Sequence, residues 1–492
     1  MNPIALNRRS LADLQASVER PRFDPSRVRP GIVHIGLGGF HRAHMARYTH
    51  ELMEQDARAL DWGIIGTVLM PKDRRMVGSL APQDGLYTLI EREGAHERAR
   101  IIGSLAGIVD ATDSSEPLLA VLDGPDIRIV SLTITENGYC LNAATKRLDP
   151  DHPLIKADLA VPERPRSAVG VIVEMLRRRR DKGLLPPTVL SCDNIQRNGE
   201  VLRQAVLALA GHRDEALRVW IAGSVSFPST MVDRITPVTA KEDIDGLAER
   251  HGFLDRWPVI SEAFSQWVIE DRFPQGRPAW EEVGAQFVDD VAPYEFMKLR
   301  LLNGSHLAVS GLGQLAGYVT IDQSLADARI RAVTTALMDR ETGPTLPVIP
   351  GVDIEAYKAK LVERFANSAI RDTVQRVNSD APINVLVDPI RDRLRAGCDV
   401  TFLALALAAW LRRVRATDDK GAQIQVTHPL ADLLRERATQ GGADPRPLLS
   451  IHSLFGELGE DPRLVQPVEY WLASLYRNGI ESTLDEAKRR AG

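Results

Sequence analysis

The stretch GIVHIGLGGFHRAHMARYTHELM, from Gly31 to Met53, decides the fold of the amino-terminal half. Its apolar run from Ile32 to Ile35 predicts a short buried strand, because the run is brief and rich in β-branched residues. The glycines Gly36, Gly38 and Gly39 end that strand, and helix formers follow them. Such a turn lets the backbone approach the pyrophosphate of a dinucleotide, although any tight turn from a strand to a helix has the same pattern. The stretch therefore indicates the start of a Rossmann-like α/β domain.

A second strand is predicted from Trp62 to Leu69, about 30 residues after the first, which is the spacing of a βαβ unit. Lys72, Asp73, Arg74 and Arg75 follow it. An acid here binds the adenosine ribose of NAD, whereas a cation accepts the 2′-phosphate of NADP. NAD is the predicted cofactor, and NADP stays open. The predicted cofactor contacts are Gly36, Leu37, Gly38, Gly39, Phe40, His41, Arg42 and Asp73.

Two later strands are predicted to deliver polar residues to the same edge of the sheet. The apolar run from Ile127 to Ile134 leads into Thr135-Glu-Asn-Gly-Tyr139, and the run from Thr188 to Ser191 leads into Cys192-Asp-Asn194. Ligands of open α/β sheets bind at the carboxyl ends of the strands. Both segments are therefore candidate binding loops, with a capped turn as the alternative.

The composition is that of a folded protein with little net charge. Hydrophobic residues make up 44% of the chain, charged residues 26%, and the formal net charge is -5. This balance does not favour binding to nucleic acid or to an anionic membrane. The three cysteines are widely spaced, and no Cys/His cluster has the spacing of metal ligands. We expect a cytoplasmic, metal-independent protein with a small-molecule partner, since the start of the chain has no secretory pattern and no apolar run spans a membrane.

The organisation changes in the second half of the chain. A length of 492 residues is too great for one core, and Phe273-Pro-Gln-Gly-Arg-Pro278 is the most probable linker. Helical periods dominate from Asp290 onward, as from Ile321 to Met338 and from Val400 to Arg415. We predict a Rossmann-like domain over residues 1–285 and a mostly α-helical domain over residues 286–492.

The helical half opens with Lys298-Leu-Arg-Leu-Leu-Asn303-Gly-Ser-His306, which places three polar groups among leucines. On a regular α-helix, His306 lies about 80° and Asn303 about 140° around the axis from Lys298. Glu295 falls between Lys298 and His306, at about 60°. Burial favours the neutral form of a lysine, so Lys298 could act as a base near neutral pH. The alternative is a Lys and a His at a capped, partly solvated helix end.

Several segments together resemble the mannitol dehydrogenase family of polyol-specific long-chain dehydrogenases. They lie in the family's order over more than 300 residues, and each one alone is short. They are GLGGFHRAH (36–44), QDGLYTL (83–89), TITENGY (133–139), SCDNIQRNG (191–199), VDRITP (232–237), KLRLLNGSH (298–306) and FANSAIRDTVQR (365–376). The resemblance implies an amino-terminal Rossmann-like domain, a helical carboxyl-terminal domain and an active site in the cleft between them.

The resemblance also implies roles for particular residues. Lys298 is the expected general base, Asn194 and Asn303 hold the alcohol oxygen, and His306 orients the substrate. Asp233 and Arg376 match positions that bind polyol hydroxyls. Glu295 is a candidate proton relay, with a simple helix ion pair as the alternative. A family lysine expected shortly after Arg376 is not clearly present, because the chain reads Asn378-Ser-Asp-Ala-Pro-Ile-Asn384 there.

The expected activity is the reversible, NAD-dependent oxidation of a polyol to a ketose, with D-mannitol and D-fructose as the first pair to test. D-arabinitol and the fructuronate (mannonate) pair are alternatives within the same family. The missing lysine weighs against the sugar acid, since a carboxylate calls for additional cations. From a different class, a dinucleotide-binding sensor without turnover would retain the fold. The family's long-chain members are often monomers, and we expect the same here.

Overall fold

The chain divides into two compact units. The computed structural model describes residues 3–142 and 145–492, apart from the side chain of Asp380. The first unit is Met1–Ala292 and the second is Pro293–Gly492. The predicted linker from Phe273 to Pro278 thus lies inside the first unit, and the boundary falls later, close to the predicted change at residues 285 and 286. Among the described helices, none is long and apolar enough to cross a membrane.

A parallel sheet forms the centre of the first unit. Its strands follow the order β6-β3-β2-β7-β8, and every neighbouring pair is parallel. The strands in chain order are β1 (Ile4–Ala5), β2 (Pro30–Ile35), β3 (Gly63–Val68), β4 (Tyr87–Glu93), β5 (His96–Ile102), β6 (Leu105–Asp110), β7 (Ile129–Leu132), β8 (Thr188–Ser191), β9 (Thr230–Asp233), β10 (Phe253–Leu254), β11 (Val259–Glu262), β12 (Gln266–Glu270) and β13 (Gln286–Val288). The strand order reverses between β2 and β7, which is where open α/β sheets bind ligands.

Alternate residues of the central strands feed two separate cores. Val33 and Ile35 belong to the core on one face of the sheet, whereas Ile32 belongs to the core on the other face. This alternation follows from the pleat of a strand, and burial on both faces explains the continuous apolar run in β2. The helices of this unit are α1 (Gly39–Ala43), α2 (Met45–Gln55), α3 (Arg74–Leu80), α4 (Glu116–Leu122), α5 (Pro153–Ala160), α6 (Ala168–Asp181), α7 (Asn198–Arg213), α8 (Glu215–Ser224) and α9 (Lys241–His251).

The second unit is helical throughout its described secondary structure, as the periods predicted. Its helices are α10 (Ala292–Met297), α11 (Gly304–Leu315), α12 (Ile321–Ala326), α13 (Ala328–Ala336), α14 (Ile354–Phe365), α15 (Val374–Asp380), α16 (Asn384–Arg395), α17 (Thr401–Arg413), α18 (Ala431–Gly441), α19 (Arg446–Leu449), α20 (His452–Phe455), α21 (Pro462–Arg477) and α22 (Gly479–Ala491). Helix α11 is buried almost all round and packs against α15 and α17. The predicted combination of a Rossmann-like domain and a helical domain is confirmed.

The single helix predicted from Ile321 to Met338 is wrong in one respect. Asp327 leaves the helical conformation, with ψ 115°, and separates α12 from α13. Its carboxylate accepts a hydrogen bond from the backbone N–H of Arg329. Asp is a preferred residue at a helix amino terminus for this reason. The spacing of apolar residues is the same on both sides of Asp327, so it did not show that one helix ends and another begins there.

Candidate active site

The turn after β2 can be made only by glycine at its first position. Gly36 has φ +105°, and a Cβ atom there would lie 2.0 Å from the carbonyl oxygen of Thr133. A Cβ on Gly38, by contrast, would meet no heavy atom within 4 Å. The first glycine thus lets two strand ends approach each other, while the second leaves room for a ligand. This is the arrangement expected of a dinucleotide-binding turn.

A cavity of about 250 Å³ opens at this turn, at the carboxyl ends of β2, β3 and β7. Of the predicted cofactor contacts, Gly36, Leu37, Gly38 and Asp73 line it. The complete lining is Ile35, Gly36, Leu37, Gly38, Val68, Leu69, Met70, Lys72, Asp73, Met76, Thr133, Ile134, Thr135, Gly138, Leu154, Arg166, Ser167 and Ala168. The predicted loop from Thr135 to Tyr139 therefore contributes to the same cavity as the glycine turn.

The structure does not bring the other predicted cofactor contacts to this lining. The His41 ring is buried and stacks on His34, with ring centroids 3.4 Å apart. The Arg42 guanidinium is also buried, lies over the ring of Tyr87 and donates to the carbonyl oxygen of Trp257. Gly39 and Phe40 are likewise absent from the lining, and Phe40 stacks on His44. The side chains of His41 and Arg42 point from α1 into the core, so they pack behind the turn and do not face the cavity.

His34 joins the two strands at which the sheet order reverses. Its Nδ1 is 2.8 Å from Ser131 Oγ, and its Nε2 is 2.9 Å from Thr133 Oγ1. Burial lowers the pKa of His34 to about 3, and it lowers the pKa of His41 as well. Both rings are therefore neutral at physiological pH. The two stacked, uncharged rings pack next to the glycine turn.

The basic residues beside Asp73 are held differently from one another. Arg74 points at Thr112 and Asp110, with Nε 2.8 Å from Thr112 Oγ1, and it also pairs with Asp113. Arg75 lies over the Trp257 ring. Neither arginine lines the cavity, whereas Lys72 and Asp73 do. The sequence could not assign these four residues, because their partners come from distant segments.

Asp193, which the sequence analysis did not select, ties the loop after β8 to the cavity. Its buried carboxylate accepts hydrogen bonds from the backbone N–H groups of Ile134 and Thr135 and from the Tyr139 hydroxyl, at 3.1, 2.8 and 2.7 Å. Burial raises the pKa of this carboxyl. The exposed Asn194 follows directly. The predicted oxygen donor is thus attached to a loop that is fixed to the cavity wall.

Thr135 adopts a backbone conformation that favours glycine, with φ 62° and ψ 168°. Such conformations cost about 1–3 kcal/mol and persist where the surroundings impose them. Here the N–H of Thr135 is held by Asp193. Sequence alone carried no signal of this strain, since threonine is an ordinary strand residue.

Asp233 ends β9 and is buried. Its chain neighbour Arg234 has other partners. The Arg234 guanidinium instead pairs with the buried Glu91 and donates to the carbonyl oxygens of Ala43 and Glu262. Successive residues of a strand point to opposite faces, which separates the two side chains. Asp233 keeps its predicted role in substrate binding as a proposal.

The helix that carries Lys298 is not a regular α-helix. Residues Lys298–Asn303 form a π-helical turn between α10 and α11, and the N–H of Gly304 bonds to the carbonyl oxygen of Leu299. In a π turn, residue i+5 takes the place that residue i+4 has in an α-helix, about 40° around the axis from residue i. Asn303 therefore shares the face of Lys298 instead of lying about 140° away, as a regular helix would place it. Turns of this kind occur frequently at functional sites.

The same turn also moves His306 toward this face. It takes up one extra residue, so His306 lies about 20° from Lys298 around the axis, compared with the predicted 80°. Glu295, Lys298 and His306 are all buried, with exposures of 5%, 7% and 6%, and Asn303 is partly buried. The π turn therefore favours one side of the helix for these four residues. The angles predicted for a regular α-helix do not apply here, and the roles of the four residues stay predictions.

A buried carboxylate that the sequence analysis did not select lies beside His306. Asp372 Oδ2 is 3.4 Å from His306 Nε2, and Phe365 stacks on the imidazole with centroids 4.7 Å apart. Arg376 Nε and Nη2 donate to the two oxygens of Asp372, each at 2.6 Å. The spacing from Asp372 to Arg376 is i,i+4, a common helical pair, and it is the only signal that could have identified this acid.

The segment that departs from the family pattern is engaged in helix packing. Asn378 is buried and bonds to Ser310 and Gln314 of α11. Asn384 is exposed and starts α16. In this segment, where the resemblance predicts a lysine, the Asn378 amide bonds to α11. Within the described residues, no group of three or more His, Cys, Asp or Glu side chains could hold a metal ion.

The fold and the site define a class: a Rossmann-type α/β protein with a cavity at the switch point of its sheet and an α-helical second domain. Comparisons identify the family. Residues 30–282 match the mannitol dehydrogenase Rossmann domain, and residues 290–476 match the mannitol dehydrogenase C-terminal domain. The chain belongs to the mannitol dehydrogenase family, as its sequence resemblance indicated.

Individual relatives agree with this assignment. The chain is 42% identical to a mannitol 2-dehydrogenase of Aspergillus fumigatus, over 98% of this chain and 99% of that protein. It is 44% identical to the D-mannonate oxidoreductase of Escherichia coli K12, over 91% and 93% of the two chains. The solved Pseudomonas fluorescens mannitol 2-dehydrogenase, a ternary complex with NAD and D-mannitol, superposes with a TM-score of 0.90 at 40% identity, covering 99% of this chain and 100% of that one. A substrate-free D-sorbitol dehydrogenase superposes with a TM-score of 0.88 at 34% identity, covering 97% and 100%.

Proposed function

We propose that the protein is an NAD-dependent polyol dehydrogenase that oxidises D-mannitol to D-fructose and catalyses the reverse reduction. The observation that carries the proposal is the π turn from Lys298 to Asn303, which supports a shared helix face for a buried amine, Lys298, and an amide donor, Asn303. Membership of the mannitol dehydrogenase family over both domains supports it. So does the NAD and D-mannitol complex of the Pseudomonas fluorescens relative.

In the proposed mechanism Lys298 acts as the general base. Its side chain is 7% exposed, and burial of an amine favours the neutral form that can accept the hydroxyl proton. Glu295 lies one helical turn earlier and is also buried, so it can pass that proton onward from the amine. General bases usually contribute at least about 100-fold to the rate.

Asn194 and Asn303 are the proposed donors to the alcohol oxygen. As the proton leaves, negative charge develops on that oxygen, and donors that are already oriented stabilise it without reorganisation. Each such donor is typically worth about 3 kcal/mol in the transition state. His306, Asp233 and Arg376 are proposed to orient the remaining hydroxyls. A bound nicotinamide dinucleotide supplies the hydride acceptor.

The cavity fits a dinucleotide, and we propose NAD as the preferred form. Gly36 allows the tight turn, and Gly38 leaves the open surface that a pyrophosphate needs. Asp73 lines the cavity and can accept hydrogen bonds from a ribose diol, while Arg74 and Arg75 are turned toward other partners. Lys72 and Arg166 are the cations of the described cavity lining, so NADP stays the alternative form.

The deciding experiment is a substrate panel followed by absorbance at 340 nm. D-mannitol, D-sorbitol, D-arabinitol and D-mannonate are each tested with NAD⁺ and NADP⁺. We expect the highest kcat/KM for D-mannitol with NAD⁺. Binding of NADH without turnover of any of these compounds would contradict the proposal and favour a dinucleotide-binding sensor.

A sugar acid is the second candidate substrate, because the E. coli relative named D-mannonate oxidoreductase is as similar in sequence as the mannitol 2-dehydrogenases. Identity therefore does not separate the two substrate classes. We also propose that the enzyme works in a reducing, cytoplasmic compartment and needs no partner chain. Its three cysteines, Cys140, Cys192 and Cys398, are free thiols at wide spacing, which agrees with that location.

A further inference from the structure

One buried carboxylate controls two of the proposed substrate-binding residues. Asp372 is 7% exposed and accepts two parallel hydrogen bonds from the edge of the Arg376 guanidinium. The same carboxylate lies 3.4 Å from His306 Nε2. A bidentate pair of this kind fixes both the position and the direction of an arginine.

Asp372 owes its own position to the backbone and not to these partners. Its carbonyl oxygen accepts from the N–H of Ile321 at 2.9 Å, and the N–H of Val374 donates to the carbonyl oxygen of Val319 at 3.1 Å. Arg371, just before it, has the positive φ of 52° that turns the chain into this position. A change at the Asp372 side chain should therefore leave the main-chain path in place.

The carboxylate stays ionised although it is buried. Burial alone would raise the pKa of Asp372, but the neighbouring His306 and the two hydrogen bonds from Arg376 hold it well below its usual range. The negative charge of Asp372 thus opposes the positive charge of Arg376 at neutral pH. The Arg376 side chain is 42% exposed.

We propose that Asp372 determines the substrate class, by neutralising Arg376 so that this part of the site accepts a neutral polyol and disfavours a sugar acid. The inference rests on the proposed function and deepens it. A substrate carboxylate approaching Arg376 would meet an arginine whose charge is already balanced and a second carboxylate directly behind it. A hydroxyl carries no charge and is not repelled. The second carboxylate, more than the absent family lysine alone, then explains why a sugar acid is a poor fit.

Asp372 has a second, positioning effect through His306. The Asp372 carboxylate lies 3.4 Å from Nε2 without a hydrogen bond to it, and its negative charge favours a proton on that nitrogen, which leaves Nδ1 as an acceptor for a substrate hydroxyl. The stacked Phe365 ring holds the plane of the imidazole. Removing the charge of Asp372 should therefore weaken catalysis with the polyol at the same time as it relieves repulsion of the acid.

The test compares the full-length wild type with Asp372→Asn, using NAD⁺ with D-mannitol or D-mannonate. We expect the ratio of kcat/KM for mannitol over mannonate to fall by at least about tenfold. Mannonate gains one charge-assisted hydrogen bond with Arg376, and mannitol loses the positioning effect of Asp372 on His306. The double variant Asp372→Asn/Arg376→Gln should lose the gain with mannonate, because the guanidinium is then absent. An unchanged ratio in Asp372→Asn, or a wild type that prefers mannonate, would overturn the inference.

Asp327→Asn is the matched control. Asp327 is also a buried carboxylate, and it holds Arg329 in the same bidentate manner, with Nε and Nη2 at 3.0 and 2.6 Å. This variant should melt at a lower temperature while keeping the mannitol-to-mannonate ratio within twofold of wild type. If the control shifts the ratio equally, general destabilisation is the cause and the inference is wrong. Absence of turnover by the wild type on every polyol, with NADH binding intact, would instead refute the proposed function itself.

Discussion

The predicted site residues of the two units are of different kinds. In the Rossmann unit the critical groups belong to the backbone: the open turn at Gly36 and Gly38 and the constrained Thr135. In the helical unit they are side chains, Lys298, Asn303 and His306, on a helix that contains a π turn. The first unit therefore depends on main-chain conformation, and the second on the chemical identity of a few side chains.

This difference predicts different responses to mutation. A change at Gly36 should disturb folding and cofactor binding together, because two strand ends meet at that position. A change in the side-chain-built site should remove chemistry and leave the fold intact.

The largest expected effect is the loss of activity in Lys298→Ala. We expect kcat for D-mannitol oxidation to fall by at least about 100-fold, because the variant has no group to accept the hydroxyl proton. NADH binding, followed by fluorescence titration, should be unchanged. The control is Lys488→Ala, which removes an exposed lysine from α22. Activity of Lys298→Ala within about tenfold of wild type would exclude this amine as the base.

The glycine turn offers the sharpest contrast with that variant. Gly36→Ala should lower the free energy of unfolding by about 1–3 kcal/mol or more, since alanine is strained at φ +105° and its Cβ would overlap Thr133. Gly38→Ala should leave thermal stability unchanged, because its Cβ enters open space, yet weaken NADH binding by occupying the cavity. Melting curves and NADH titrations of the pair separate the two roles. Equal melting temperatures for the two variants would show that the turn is not constrained as described.

A variant of Asp193 tests whether the hydrogen bonds that hold the loop after β8 also affect the rate of the reaction. Asp193→Ala leaves three donors without their acceptor and should cost about 1–3 kcal/mol of stability. Because Asn194 is next in the chain, kcat should also fall, by about tenfold, when measured well below the melting temperature.

Asp255→Ala is the matched control for that variant. Asp255 is equally buried and accepts from the backbone N–H groups of Thr88 and Trp257 and from the Gln83 side chain. It should lose similar stability and keep its kcat. A similar loss of kcat in both variants would mean that destabilisation, and not the position of Asn194, limits the reaction.

The smallest effect concerns the pH dependence of the helical unit. Glu341 lies in a second π-helical segment, Leu337–Thr342, and its carboxylate accepts from the N–H groups of Phe402 and Leu403 at 2.8 and 2.7 Å. Burial raises its pKa from 4.5 to about 7. The folded state then holds a proton that the unfolded state has lost, so stability should decrease as pH rises from about 4.5 to about 7, by on the order of 2 kcal/mol.

Melting temperatures of wild type and Glu341→Gln across pH 5 to 8 check this expectation. The variant has no titrating group at this position, so the decrease should be smaller than in the wild type. The difference between the two curves isolates Glu341 from the other titrating groups of the protein. Parallel curves would show that this carboxyl is ionised in the folded protein throughout the range.

Much of this architecture was predictable from local patterns. The strand predicted from Thr188 to Ser191 has the same bounds in the structure, and the helix predicted from Val400 to Arg415 appears as Thr401–Arg413. Both predictions rest on continuous apolar runs that only burial can stabilise. Lys298, Asn303 and His306 were found because they are polar residues at helical spacing in a run of leucines. Local periodicity is sufficient for conclusions of this kind.

By itself the sequence determined a Rossmann-like unit followed by a helical one, the glycine turn, and the cluster that begins at Lys298. Tertiary structure alone decided the rest: the π turn that aligns Asn303 with Lys298, the burial of Arg42 away from the cavity, and the choice of Asp372 as the partner of Arg376. The reason is competition. A polar side chain can pair with any of several groups, and which one it meets depends on segments far away in the chain.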